Sequence, residues 1–243
     1  MAKLMNRTEK MPEKAEEHII LTASVFHSRW YSLKKLKNLI LFAKENFIEN
    51  QNGVVKLADF GCGTMPYRSL FDKSKVNYVG IDLDWNPHAE VFISKDNKIL
   101  IEDGNFDIVL STQVLEHVED PADYLSEAFR ILKPGGKLVL TTHGYWMFHP
   151  DPTDYWRWTS SGLQKIIKNA GFEVLAFKGM LGRMAAGLQI FQDGLLFKFP
   201  LWFRPIVSTP LQLLIAFFDK FQKQDIIDID ACNYLIVGLK PKA

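Results

Sequence analysis

Two short stretches of this 243-residue chain carry residue types whose spacing could bind a nucleoside. In Leu57-Ala58-Asp59-Phe60-Gly61-Cys62-Gly63-Thr64, an apolar run ends in a tight Gly-x-Gly turn. Glycines there let the backbone approach a ligand that a Cβ would hold away. A helix opened by that turn would offer free N–H groups to an anion such as a carboxylate. In Tyr78-Val79-Gly80-Ile81-Asp82-Leu83-Asp84, the acidic Asp82 ends a second apolar run. Roughly 20 residues beyond the turn, it can accept hydrogen bonds from ribose hydroxyls. A dinucleotide fingerprint needs a third glycine for close approach of a pyrophosphate, and Gly61-Cys62-Gly63-Thr64-Met65-Pro66 has proline instead. Asp59, a carboxylate facing the turn, suits a cationic amine better than a diphosphate. Taken singly, these motifs also read as a plain strand-to-helix turn and a solvated strand-end aspartate; their spacing favours the ligand.

The elements that must position these residues alternate as in a parallel sheet. Strands are expected at Val54–Phe60, Val76–Ile81, Glu90–Ile93, Phe106–Leu110, Lys137–Thr142, Phe172–Phe177 and Asn233–Leu239. The fifth is entered through the turn Lys133-Pro134-Gly135-Gly136. Before it, Asp120 can cap a helix with Pro121 at its first position and Tyr124, Leu125, Ala128, Phe129 and Leu132 on its apolar face. Another helix is expected from a capping box at Ser161-Gly162-Leu163-Gln164 to Gly171. Apolar residues at helical spacing between Ile19 and Ile48 predict one or two helices ahead of the first strand, and residues 1–16 read as loose. The fold class is therefore α/β: a Rossmann-like, seven-stranded, mostly parallel sheet with helices on both faces. One domain is expected over 1–243, with an N-terminal helical segment (1–50), a cofactor-binding core (54–178), a helical apolar insertion (179–231) and a last strand (232–243).

Asp59-x-Gly61-x-Gly63, Gly80-Ile81-Asp82, Phe106-Asp107-Ile108-Val109, Leu115-Glu116-His117-Val118 and Leu132-Lys133-Pro134-Gly135-Gly136 occur together and in order. This set resembles class I S-adenosylmethionine-dependent methyltransferases, most of all the methyltransferase type 11 group, over roughly residues 54–178. The resemblance implies an enzyme that binds S-adenosylmethionine at the strand C-termini. Carried over by motif, Asp59, Gly61 and Gly63 would hold the methionine part and Asp82 the ribose hydroxyls, with Cys62 and Leu83 also at the cofactor. Ser111, Thr112 and Gln113 would line the sulfonium region, and Asp96 is the match, an imperfect one, for an acidic residue near adenine.

Methyl transfer from a sulfonium is an in-line displacement, so a protein chiefly positions the partners. A base is needed where the acceptor atom has a proton to lose. The loop His143-Gly144-Tyr145-Trp146-Met147-Phe148-His149-Pro150-Asp151-Pro152-Thr153-Asp154-Tyr155-Trp156-Arg157 follows the fifth strand and is rich in such groups. His143, nearest the strand end, is the first candidate base and His149 the second; a hydrogen-bonded structural histidine is the plainer alternative for each. Asp154 and Arg157 fit a structural ion pair, and His117 a structural histidine. His143, His149, Asp151 and Asp154 could also be read as a metal cluster, but their spacing matches no zinc pattern, so no metal is expected.

With a net charge of +1 and no basic stripe, the chain does not have the composition of a nucleic-acid binder. Two distant cysteines, Cys62 and Cys232, set up no disulfide framework or zinc site and fit a reducing cytoplasm. The N-terminus lacks an apolar signal core, and no run reaches the roughly 20 apolar residues a membrane span needs. Residues 195–221 are nonetheless rich in Phe, Leu, Ile and Trp, flanked by Lys198, Arg204, Lys220 and Lys223. A lid over the acceptor site, a peripheral contact with the inner face of a membrane and a dimer interface all fit them. The expected acceptor is a small molecule, a glycan or a lipid-linked compound, methylated at oxygen. The rivals are a nicotinamide-dependent oxidoreductase, opposed by the missing glycine, and a non-catalytic S-adenosylmethionine-binding module.

Overall fold

A computed structural model of the chain describes residues 19–51, 53–94, 98–150 and 153–242. Strands β1 (Val55–Phe60), β2 (Val76–Leu83), β3 (Val91–Ile93), β4 (Phe106–Thr112), β5 (Leu132–His143), β6 (Glu173–Gly182) and β7 (Ala231–Leu239) form one sheet. Its order is β3-β2-β1-β4-β5-β7-β6. Pairing is parallel from β3 through β5, and β7 runs antiparallel to both β5 and β6. The strand order reverses between β1 and β4, and a crevice for ligands opens at the carboxyl ends of strands at such a switch point. Asp59, Asp82 and Gln113 all stand at or just past those ends.

Helices cover both faces. On one lies α1 (Trp30–Ala43), which buries Leu36, Leu39, Ile40 and Ala43 against Leu57, Ile108 and Leu110 of the sheet. On the other, α2 (Pro121–Ile131) and α3 (Ser160–Asn169) bury Leu125, Ala128, Ile131, Leu163 and Ile167 against Ala58, Val109 and Leu138. α2 begins as expected: the Asp120 carboxylate accepts from the N–H groups of Ala122 and Asp123, at 2.9 and 3.1 Å, and Pro121 opens the first turn. Its Tyr124 stacks on Phe60, donates to the Phe60 carbonyl at 2.9 Å and pairs with the Ser111 hydroxyl at 2.8 Å. That ring ties α2 to the ends of β1 and β4, where the ligand motifs stand.

Some expected details differ. The helix expected after the Gly-x-Gly turn is not formed: the connection from β1 to β2 holds only the single turn Arg68–Leu70. Pro66 supplies no N–H there, and Met65 adopts a left-handed φ of 53° that turns the chain back early. No helix N-terminus of useful length therefore faces an anion at this place. The capping box at Ser161 is also absent, because α3 starts one residue sooner and the Thr159 hydroxyl accepts from Gly162 N–H at 3.0 Å. β6 continues to Gly182, into the stretch read as insertion, and β7 begins at Ala231. Between them lie α4 (Arg183–Leu196), α5 (Arg204–Asp219) and the short α6 (Gln224–Ile229). Residues 1–16, Asp96 and Asp151 lie outside the described residues.

Candidate active site

The cofactor half is built from two strand ends and one turn. Gly61, at φ 81°, needs its missing side chain, since a Cβ there would come within 2.6 Å of Val114. The turn is pinned to β2 by the N–H groups of Gly61 and Cys62, which both donate to the Ile81 carbonyl. The Cys62 and Met65 side chains fill the space beside Gly80, where an added Cβ would meet Met65 Sδ at 2.8 Å. Cys62 contributes backbone here; burial pushes its thiol far up, so the sulfur stays protonated and inert.

Asp59 is 1% exposed. One carboxylate oxygen accepts from the Tyr78 hydroxyl at 2.5 Å; the other, Oδ1, is buried without a hydrogen-bond partner. Burial raises its pKa to about 7 against the opposing Tyr78 hydrogen bond, and the nearby Asp82 charge raises it further. A buried unpaired carboxylate oxygen wants a cation. Asp82 is pre-oriented: Oδ2 accepts from Gly63 N–H at 2.8 Å and from the Asn86 amide at 2.7 Å, while Leu83 N–H donates to Oδ1 at 2.8 Å. Asn86, nearly fully buried, also bonds the Gly63 carbonyl and so clasps the turn to the acid. It sits in an Asp-Trp-Asn-Pro turn, and that local turn chemistry was the one cue to it in the sequence.

The residues after β4 divide. Ser111 is fully buried on Tyr124, whereas Thr112 and Gln113 are half-buried at the crevice. Gln113, at a left-handed φ of 56°, is held by Thr141 and by Asn233, which donates to its carbonyl oxygen at 2.6 Å. These residues fit S-adenosylmethionine: the orphaned Asp59 oxygen suits the amino group, the glycine turn leaves room for the chain, and Asp82 suits the ribose diol.

The acceptor half gathers distant residues. Glu116, on the turn Leu115–His117, is wholly buried; its Oε2 accepts from the Thr142 hydroxyl at 2.8 Å, and Oε1 has no hydrogen-bond partner. His143, 7% exposed, ends β5 with Nε2 3.3 Å from Glu116 Oε1 and Nδ1 2.7 Å from the Asn233 amide. The amide nitrogen can only donate to Nδ1, so Nε2 carries the proton and faces Glu116 Oε1 at 3.3 Å without a well-aligned hydrogen bond. Burial pushes the Glu116 carboxyl up and the His143 imidazole well down, and the charges near His143 on His149 and Arg157 add to the latter.

His143 stacks on Trp146 and meets His149 edge-on, with ring centroids 4.8 Å apart. His149 Nδ1 lies 3.4 Å from Asp154 Oδ2 and 3.3 Å from the Met147 carbonyl. The Arg157 guanidinium, a pure donor, also meets Nδ1 at 3.5 Å, so acceptors and a donor share that nitrogen, while Nε2 makes no hydrogen bond to the described residues. Burial lowers the His149 pKa from 6.5, and the Asp154 charge partly restores it. Asp154 forms the ion pair expected with Arg157, two parallel contacts of 2.6 Å, and Arg157 also donates to the carbonyls of Trp146 and Met147. Burial acts to raise Asp154, but Arg157 and the His149 N–H outweigh it and hold the carboxyl at about 2.

The ligand atoms of Glu116, His143 and His149 lie within 4.8 Å of one another, a spacing that could hold a metal ion. A cation there would sit beside the Arg157 guanidinium, 3.5 Å from His149 Nδ1, which opposes it. His117 is engaged locally, with its ring against the Thr153 carbonyl and edge-on to His149. An open groove of about 560 Å³ adjoins this half, lined by Tyr145, Trp146, Arg157, Trp158, Arg183 and Ile190 among others and by no residue of the β1 or β2 ends. Arg29, ahead of α1, lies over the Trp146 ring at 5.5 Å, so the N-terminal segment reaches the acceptor loop.

The chain is 30% identical over 113 residues to the ubiquinone biosynthesis O-methyltransferase of Pseudomonas aeruginosa, covering 40% of this chain and 49% of that one. It is 31% identical over 132 residues to a human thiol S-methyltransferase, covering 44% and 52%. It thus spans about half the length of these relatives. Among solved structures, a Haemonchus contortus phosphoethanolamine N-methyltransferase in complex with S-adenosyl-L-methionine superposes with a TM-score of 0.53 at 18% identity, over 85% of this chain and 53% of that one. The family model described as "Methyltransferase domain" matches residues 29–176, from the start of the N-terminal helix into β6. The chain therefore belongs to the class I S-adenosylmethionine-dependent methyltransferases.

Proposed function

We propose that the chain transfers a methyl group from S-adenosylmethionine to an oxygen atom of a small-molecule, glycan or lipid-linked acceptor. One observation carries the reading: the end of β5 and the loop after it bring two histidines together at the same carboxyl edge of the sheet as Asp59 and Asp82, with β4 between β5 and β1. Bound S-adenosylmethionine supplies a methyl group already activated as a sulfonium. Asp59 would hold its amine, with Gly61, Cys62 and Gly63 giving backbone room. Asp82, braced by Asn86, and Leu83 would hold the ribose, and Thr112 and Gln113 would border the sulfonium region.

The proton of a hydroxyl acceptor needs a base with a free lone pair. Both ring nitrogens of His143 face partners, whereas Nε2 of His149 makes no hydrogen bond to the described residues and offers a lone pair in the tautomer whose Nδ1 proton points to Asp154 and the Met147 carbonyl. His149 is thus the better base and His143 the positioning residue behind it, the reverse of the order suggested by nearness to the strand. A base oriented by a carboxylate is a recurring catalytic arrangement. The relatives act at oxygen, sulfur and nitrogen by name, and the O-methyltransferase supports oxygen only as one among these.

The test is calorimetric titration with S-adenosylmethionine and S-adenosylhomocysteine, followed by an acceptor panel of phenols, glycans and polyprenyl lipids read by S-adenosylhomocysteine release. Transfer to a hydroxyl acceptor that fails in His149→Ala supports the assignment. Binding of neither nucleoside to folded protein would sink it, and transfer confined to thiols would replace oxygen by sulfur.

A further inference from the structure

The helical hairpin α4–α5 has its polarity reversed. A helix lying on a water-soluble domain buries its apolar stripe and exposes polar residues. Here the buried positions are Gln189 and Gln192 on α4 and Ser208, Gln212 and Asp219 on α5, with only Ala185, Ala186, Leu196 and Ile215 as apolar partners. The three glutamines are fully buried, and all three side-chain amides donate to one backbone carbonyl, that of Ser28, at 2.6 to 3.1 Å. Gln212 also donates to Gln189 and Gln192 and accepts from Tyr31 N–H at 2.9 Å. Asp219 takes the Tyr31 hydroxyl and an ion pair with Lys35 at 2.9 Å.

The outward face is apolar. Ile206, Leu213, Leu214, Phe217 and Phe221 are exposed and recur at the spacing of one helical stripe along α5 and just past its end. The turn joining the helices presents Phe197, Leu201 and Trp202, each at least 75% exposed. Such a patch is not water's natural neighbour. The exposed charges along it are basic, the next exposed acid in sequence being Asp225 at the start of α6. Between residues 194 and 223 the charged side chains are Lys198, Arg204, Asp219, Lys220 and Lys223, and the single acid is buried on Lys35. Lys198 and Arg204 stand at the turn, and Lys220 and Lys223 about 24 Å away along α5. An apolar stripe between two basic ends matches an anionic lipid surface met side-on. No helix among the described residues is long and apolar enough to cross a membrane.

We infer that the α4–α5 hairpin is a monotopic membrane-docking element that lies flat on anionic lipid, with Phe197, Leu201, Trp202 and the Ile206–Phe221 stripe in the acyl boundary. The inference goes beyond methyl transfer and does not depend on it. It also brings the acceptor groove, which Ile190 of α4 helps line, beside the lipid surface.

Flotation of the full chain with vesicles of phosphatidylcholine alone, or with phosphatidylglycerol added, tests it. Binding to the anionic vesicles is expected, weakened by salt. Phe197→Ser/Trp202→Ser should lower vesicle binding at least tenfold. Lys198→Glu/Lys220→Glu should lower it several-fold on anionic vesicles only. Circular dichroism and S-adenosylmethionine binding, read on the same samples, should match the parent chain and separate a failed fold from failed docking. Absence of flotation with well-folded parent protein would overturn the inference. So would sedimentation velocity showing a dimer dispersed by the Phe197→Ser/Trp202→Ser variant, which would make a second copy the occupant.

Discussion

The two halves of the crevice are made in different ways. The cofactor half is largely backbone: a glycine turn, two strand ends and an acid clasped by the N–H groups of Gly63 and Leu83. The acceptor half is side chains, drawn from positions 116, 142, 143, 149, 154, 157 and 233 and held by buried charge. Backbone fixes a common ligand the same way in many chains, while long-range side chains can be changed one at a time. On the proposed reading, the difference would separate the pocket for the cofactor from the part that sets the acceptor.

That separation can be broken by experiment. The largest effect should come from His149→Ala: a lost proton acceptor lowers kcat on a hydroxyl acceptor by about 10²- to 10⁴-fold. S-adenosylmethionine affinity should stay within error by calorimetry. A loss under about tenfold would move the base elsewhere. The depressed His149 pKa also places the acid limb of the kcat profile below pH 6.5.

Asp82→Ala should do the opposite. Losing charge-assisted hydrogen bonds to a diol costs about 3 kcal/mol, or roughly 100-fold in affinity for S-adenosylhomocysteine. An unchanged Kd would remove Asp82 from the ribose site.

Asp59 sharpens the comparison through pH. Its carboxyl, raised by burial from 3.8 to about 7, must be ionised to hold an ammonium. S-adenosylhomocysteine affinity should therefore fall by up to about tenfold per unit as pH drops below about 7, and Asp59→Asn should flatten the profile. In the free protein the same shift runs the other way: the stability it contributes is complete below the unfolded pKa and is lost as pH rises through about 7. The melting temperature of Asp59→Asn should accordingly lose part of the parent's decline between about pH 4 and pH 7.

The smallest effect belongs to Asn233→Ala, which frees His143 Nδ1 and the Gln113 carbonyl together. About 1–3 kcal/mol of stability should go, since buried groups lose partners. kcat should fall a few-fold while S-adenosylmethionine affinity holds. Equal loss in both would show that the halves are coupled through Gln113.

The sequence was most legible where spacing is local. The seven strands, the Asp120 cap and the helical content before β7 follow from apolar period and turn residues, and they match the sheet observed. The glycine turn and Asp82 could be read because they sit at strand ends a fixed distance apart. Glu116 and Asn233 could not be given roles, because only the sheet brings β5, β7 and the turn after β4 to one point. The missing helix after Gly63 has a local cause, since Pro66 was visible but the left-handed turn at Met65 was not. The apolar insertion was plain in composition, yet its direction was hidden: period alone does not say which helix face looks outward.

The carbonyl of Ser28 has a consequence for handling the protein. The hairpin is fastened to the N-terminal segment chiefly by amides meeting at one oxygen, with a thin apolar seam beneath. A detergent micelle dissolves apolar seams and competes poorly for amide hydrogen bonds shielded from water. Mild detergent should therefore cover the outer stripe and leave the hairpin seated, whereas urea, which solvates peptide-like groups, should free it first.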